Sequence, residues 1–338
     1  MKPQSNPPNP FIPETRERLE QAPPVEADVF EETVQTILSK NESPDLPFRW
    51  SLNPYRGCFH ACAYCYARPT HEYWGFGSGT DFETKLVAKM NAPDKLRETF
   101  SKPSWVGELV VFSGNTDPYQ PLEAKLELTR ACLKVCAAYN NPVGIITKSA
   151  LVLRDLDLLQ ELHSRAWIKV YFSICFASDD MARKVEPQAP SITKRFDTMT
   201  QLAKAGIPTA ISVAPVIPGL NEQDIPIILK RAREAGARQA SYMLLRLNDN
   251  VEPVFLERMT RHFPDRVHKI VSQLKSMRQG KLGEKDFYQR HSGVGQTWAV
   301  IEQLFNIAYR KQGFPDIPDV PIPDTFCRPG PIQLSLFR

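Results

Sequence analysis

Long apolar runs are absent from this 338-residue chain, whose mean hydropathy is −0.34, so no membrane-spanning helix is expected. No apolar h-region follows Met1, so no secretory leader is read and a cytoplasmic location is expected. Cysteine is scarce outside one stretch: three of the seven fall between positions 58 and 65, which argues against a disulfide scaffold. No G-x-G-x-x-G follows the first apolar run, so a dinucleotide-binding fold is not favoured. Strong charge of either sign is also missing. A net charge of +4 is compatible with a nucleic-acid partner without requiring one.

What is present is an alternation. Apolar runs of strand length lie at Phe48–Leu52, Leu109–Phe112, Val143–Ile146, Ile168–Phe176, Thr209–Val213 and Ala240–Leu245. Between them, helical periodicity runs over Phe82–Phe100, Leu122–Tyr139, Leu151–Ser164, Ile192–Ala205 and Asp224–Ala235. Strand and helix in turn predict right-handed βα units, a parallel sheet, and here a partial (β/α)6 barrel of the α/β class. In such barrels the chemistry sits on loops at the C-terminal ends of the strands. Helices are expected again at Val254–His262, Arg266–Met277 and Gln296–Tyr309, as an extension closing one side of the barrel. Many of the 30 prolines gather at the two ends. The expected organisation is therefore a Pro-rich arm over 1–45, the barrel over 46–250, a helical extension over 251–312 and a Pro-rich tail over 313–338. Within the arm, Val29–Leu38 reads as a short amphipathic piece packed on the body.

The cysteine loop follows the first strand: Asn53-Pro54-Tyr55-Arg56-Gly57-Cys58, then Cys62-Ala63-Tyr64-Cys65-Tyr66. Thiolates crowded on one loop repel each other unless a cation holds them. Zinc is one such holder and an iron–sulfur cluster is another. Zinc would need a fourth ligand, and His60 or His71 keeps that reading open. A cube of four irons held by three cysteines leaves one iron for a substrate or cofactor, and C-x3-C-x2-C fits that case.

With these flanks the chain resembles the radical S-adenosylmethionine superfamily, and within it a branch similar to spore photoproduct lyase. The resemblance also rests on Thr116-Asp117-Pro118-Tyr119-Gln120-Pro121, Thr147-Lys148-Ser149, Glu186-Pro187 and Ala214-Pro215-Val216-Ile217-Pro218-Gly219. It implies a 4Fe-4S cluster on Cys58, Cys62 and Cys65, with S-adenosylmethionine chelated to the open iron. It further implies that Tyr64 packs against the adenine and that Ser113, Gly114 and Asn115 offer backbone to the methionyl amine. Lys148 would meet the methionyl carboxylate, Ser173 the ribose or carboxylate, and Val216 and Ile217 the adenine. Tyr66 matches a tyrosine that relays a hydrogen atom, with a packed aromatic as the alternative. Glu186 and Arg195 form either an ion pair near the cofactor or a surface pair. Ser113 stands where the lyase carries an extra cysteine, so this chain departs from the lyase there.

The last residues, Gln333-Leu334-Ser335-Leu336-Phe337, resemble the pentapeptide with which bacterial proteins bind the sliding clamp. Arg231, Arg233, Arg238, Arg246, Arg258, Arg261, Arg266, Lys269, Lys275 and Arg278 could form a phosphate-binding rim or a solvated surface. The expected function is a radical enzyme acting on a damaged or crosslinked DNA base, recruited by the clamp and fed by an unidentified electron donor. Modification of RNA, protein or a small molecule is the alternative substrate reading. A non-catalytic, metal-containing clamp- and nucleic-acid-binding protein is the alternative of another class.

Overall fold

The computed structural model describes residues 27–315 and 322–330. Residues 1–26 of the expected arm, and Gln333, Leu334, Leu336 and Phe337 of the tail, lie outside the described residues. In chain order the strands are β1 (Asp28–Glu32), β2 (Leu38–Lys40), β3 (Trp50–Leu52), β4 (Tyr55–Arg56), β5 (Lys85–Lys89), β6 (Val110–Phe112), β7 (Val143–Thr147), β8 (Ile168–Ser173), β9 (Thr209–Val216) and β10 (Gln239–Leu244).

Each of the six expected runs holds a strand of one sheet, ordered β10-β9-β8-β7-β6-β3-β2. All pairings from β3 to β10 are parallel; only β2, on the outer edge of β3, is antiparallel. The sheet curves as an open partial barrel, with helices on its outer side. In β8, Ile168, Val170 and Phe172 are buried against the helices, whereas Lys169, Tyr171 and Ser173 are partly exposed on the inner face. Each fully buried residue of the outer side contributes roughly 1.5–3 kcal/mol.

Two local expectations are corrected. Phe82–Phe100 is not one helix. A single turn, Thr80–Thr84, is followed by β5, and only then by the helix Ala92–Ser101. Pro93 lies in the first turn of that helix, where its missing N–H costs nothing, and it could not sit in a helix interior. Leu86, Val87 and Ala88 are buried as the central strand of a second, three-stranded sheet, β1-β5-β4. Val29–Leu38 likewise belongs to β1 and the start of β2, because pairing with β5 and β3 outweighs its helical pattern. After β10 come the helices Val251–His262, Val267–Met277 and Gly295–Lys311. The last covers the end of the sheet: Tyr242 of β10 lies 4.2 Å from Phe305 and 5.7 Å from Trp298, ring to ring.

Candidate functional site

Cys58, Cys62 and Cys65 sit just past β3 and the short β4, at the C-terminal end of the parallel strands. The loop enters through Gly57 at φ +70°, where an added Cβ would press on the carbonyls of Phe82 and Lys85 at 3.0 Å. The Cys58 amide donates to the Phe82 carbonyl at 2.8 Å, and the Ala63 amide to the Val185 carbonyl at 2.9 Å. Gln120, fully buried, holds both sides of the entry. It accepts from the Phe59 amide at 3.1 Å and donates to the Gly57 carbonyl at 3.2 Å.

Underneath the loop lies a guanidinium with no solvent contact. Arg68 donates to the Cys62 carbonyl at 2.8 and 3.1 Å, to those of Ser78 and Gly79, and to Glu83. Arg258, from the helical extension, donates to the Ala61 carbonyl and to the same Glu83. A buried cation with its N–H groups directed at the loop backbone and at Glu83 fixes the loop, because any shift would strand a charge away from water.

The three cysteines are free; Cys58 and Cys62 are buried and Cys65 half-buried. Burial pushes the Cys58 thiol far up, with Asp117 and the other two cysteines adding to it. Burial raises the Cys62 thiol to about 12, partly offset by Lys148. Cys58 and Cys62 cannot both ionise there without added positive charge. The histidines do not complete a zinc tetrahedron. His60 Nδ1 faces Asp117 at 3.4 Å, and His71 Nε2 is bound to the Lys85 carbonyl at 2.9 Å. Among the described residues, no group of three or more His, Cys, Asp or Glu closes on a single ion.

The ends of the next strands converge on this loop. Past β6, the side chain of Asn53 accepts from the amides of Asn115 at 2.9 Å and Thr116 at 3.3 Å, and Gly114 turns at φ +113°. Ser113 ties back by its amide to the Leu52 carbonyl at 3.2 Å. Asp117 is the next junction. It accepts from the Thr147 hydroxyl and the Lys148 amide, both at 2.7 Å, and from the Tyr119 amide at 2.9 Å. Lys148 projects from the end of β7 with its Nζ 5.8 Å from the Tyr64 ring. Burial alone would lower its pKa, but Cys62 and Glu186 hold it up.

Tyr64 is buried, and its hydroxyl donates to Glu186 and lies 3.6 Å from the Cys175 sulfur. Glu186 in turn takes Arg195 at 2.5 Å, and neither side chain reaches solvent, so the surface-pair reading is corrected. Arg195 also donates to the Ser173 carbonyl at 3.0 Å, linking the end of β8 to the cysteine loop. At the end of β9, Val216 and the following Ile217 are fully buried. The Ile217 amide is taken by Asn221 Oδ1 at 2.6 Å, and Asn221 also donates to the Cys175 carbonyl at 2.7 Å. This segment therefore presents an apolar wall rather than a free Ile217 amide.

The radical SAM superfamily profile matches residues 52–232, more than half of the chain. The chain belongs to this superfamily. An uncharacterized protein of Mycobacterium tuberculosis (strain H37Rv) is 35% identical over 256 residues, 75% of each chain. A protein of Pseudomonas phage M6 named radical SAM Nalpha-GlyT isomerase is 25% identical over 217 residues, 63% of this chain and 43% of that one. Among solved structures, spore photoproduct lyase complexed with dinucleoside spore photoproduct has a TM-score of 0.61 at 13% identity, over 84% of this chain and 79% of that one. The last likeness establishes the fold. Superfamily membership implies S-adenosylmethionine and an iron–sulfur cluster. The donor set is compatible with that: three thiols on one loop need positive charge, and among the described residues no group of His, Cys, Asp or Glu closes on a single ion.

Tyr66 takes a different position from Tyr64. It is 53% exposed at the mouth, with the Arg246 guanidinium 5.0 Å above its ring. The expected basic rim is largely dispersed. Arg258 is spent on Ala61 and Glu83, Arg278 on the Leu245 carbonyl, Arg231 on the Ala177 carbonyl, and Arg261 on Glu257. Gln120, Arg68 and Asn221 escaped sequence reasoning as braces of the site. Only Gln120 lay within a motif, and nothing in the sequence marks a residue as buried beneath a loop.

Proposed function

We propose that Cys58, Cys62 and Cys65 hold a 4Fe-4S cluster, and that the enzyme uses it to act on a damaged or crosslinked DNA base. When bound and reduced, the cluster supplies the electron that cleaves S-adenosylmethionine to a 5′-deoxyadenosyl radical. The observation that carries this reading is the cysteine loop itself: three thiols and, among the described residues, no fourth protein ligand, at the C-terminal end of a parallel barrel. That leaves one iron for the amino and carboxylate groups of S-adenosylmethionine. Lys148 neutralises the carboxylate side, Tyr64 and the Val216–Ile217 wall receive the adenine, and the Ser113–Asn115 turn and Ser173 receive the methionyl and ribose groups. The Glu186–Arg195 pair holds Tyr64 in place. Tyr66, at the exposed rim, is where a hydrogen atom could pass between cofactor and substrate.

The likeness of fold to spore photoproduct lyase supports a lyase-type reaction, and the phage isomerase supports a radical rearrangement. The tail Gln333–Phe337 would bring the enzyme to the sliding clamp, and an electron donor must complete the system. The test is anaerobic reconstitution. We expect about four irons and four sulfides per chain, 5′-deoxyadenosine after reduction, and deuterium carried into it from labelled damaged DNA. Deuterium transfer from RNA or free nucleosides but not from DNA would overturn the substrate.

A further inference from the structure

Of the basic residues that gather after β9, one faces the mouth uncommitted. Arg246 follows β10 and makes no hydrogen bond or ion pair with any described residue. The carboxylate that acts on it, Asp45, is already held by Arg290 at 2.5 and 2.8 Å. Aromatic rings alternate with the two guanidiniums. Arg246 lies 5.0 Å from the Tyr66 ring and Arg290 lies 5.0 Å from the Phe287 ring. Tyr66, Phe287 and Tyr288 are 53, 47 and 67% exposed, although large apolar surfaces are normally covered. Cations interleaved with exposed rings are what a nucleic-acid strand requires: donors for phosphate and faces for unstacked bases.

We infer that Arg246 and Tyr66 form a substrate subsite in which the guanidinium binds a backbone phosphodiester and the phenol ring stacks on the adjoining base. The inference rests on the DNA reading given above and deepens it. The guanidinium is preorganised, because stacking on Tyr66 holds its plane and no carboxylate competes for its N–H groups. An acidic protein surface would be met by the charge but would leave the exposed rings without partners. The subsite adjoins Cys65 in sequence, so a base stacked on Tyr66 is brought beside the cysteine loop rather than to a remote surface.

The test uses the full-length reconstituted chain and a fluorescein-labelled single-stranded oligodeoxynucleotide, followed by anisotropy over a salt series. Arg246→Ala is expected to weaken binding by about ten-fold or more, and to make the slope of log affinity on log salt shallower by about one. Arg246→Lys should keep the slope but lose part of the affinity, which separates the contact from misfolding. Tyr66→Phe should bind like the parent and Tyr66→Ala more weakly. Parent-like affinity and slope in Arg246→Ala would overturn the subsite and leave the DNA reading standing. No oligonucleotide binding by the parent chain would overturn both. Tighter binding of an oligoribonucleotide of the same sequence would overturn DNA as the occupant.

Discussion

The wall of the mouth that carries Cys58, Cys62 and Cys65 is held by buried charge, whereas the wall that carries Arg246 and Arg290 keeps its cations only partly covered, beside exposed rings. On the first wall, Arg68, Arg195 and Glu186 have at most 1% exposure, and their polar atoms are spent on backbone carbonyls, on Glu83, on Tyr64 or on each other. On the second, Arg246 is unpaired and Tyr66 and Tyr288 stand exposed. Buried pairs give little net stability, but they penalise any displacement severely, so they suit a loop that must hold its ligands in place. Exposed rings and cations tolerate variation and suit recognition. The comparison assigns the chemistry common to the superfamily to the first wall and the choice of substrate to the second.

The sharpest way to break this comparison is on the first wall. Substituting any one of Cys58, Cys62 or Cys65 by Ser is expected to abolish iron binding and 5′-deoxyadenosine formation, read by iron content and product analysis. Full iron content in any of the three would remove that residue from the ligand set. Next in size, Glu186→Gln leaves Arg195 buried without its counter-charge. It should destabilise the chain by roughly 3–5 kcal/mol in chemical denaturation. Arg290→Gln, on the second wall, should cost less, roughly 1–3 kcal/mol, since Asp45 keeps the Tyr288 amide and lies 3.7 Å from His291. Equal costs for the two would erase the contrast.

The sheet was legible because its strands are apolar runs separated by helical periodicity, and neither β5 nor β1 disturbed that order. Those two strands were not legible. Leu86–Ala88 lies between a turn and a proline-started helix, and its pairing with β1 spans over fifty residues of chain. The cysteine loop was legible from spacing, and Asp117 and Lys148 from a motif. The braces were not. Arg258 read as one of the rim cations and Arg68 was given no role, because their destinations are mainly backbone carbonyls, which no side-chain pattern encodes. Arg246 was one of ten candidate cations, and it became distinctive only once Arg231, Arg258, Arg261 and Arg278 were seen to be spent on partners of their own.

A smaller effect separates the walls by pH. Burial pushes His71, behind the cysteine loop, down to about 4 from 6.5, against the pull of its bond to the Lys85 carbonyl. Burial, with Arg246 and Arg290 adding to it, does the same to His291 on the second wall. Both stay neutral in the fold while the unfolded chain takes up a proton near pH 6.5. Their contribution is therefore complete above pH 6.5 and is lost as pH falls towards 4. Each accounts for on the order of 1–3 kcal/mol between those limits. His71 is 1% exposed and His291 only half-buried, so His71→Gln should flatten the decline in unfolding free energy more than His291→Gln does. The reverse order would place the more rigid environment on the second wall.

The smallest expected effect on the chemistry comes from the tail. The described chain before it is fastened to the end of the sheet away from the cysteine loop. Phe326 packs against Gly107, Phe100 and Tyr139, the Cys327 amide donates to the Tyr139 carbonyl at 2.9 Å, and Arg328 donates to the Lys102 and Trp105 carbonyls at 2.7 Å. These partners precede β6 and β7, whereas the cysteines follow β3 and β4. Deleting Gln333–Phe337 should leave iron content, stability and 5′-deoxyadenosine formation unchanged while removing binding to a purified sliding clamp. Unchanged clamp binding would remove the partner. A loss of radical formation in the truncated chain would show instead that the tail reaches the mouth, and that the two walls do not act alone.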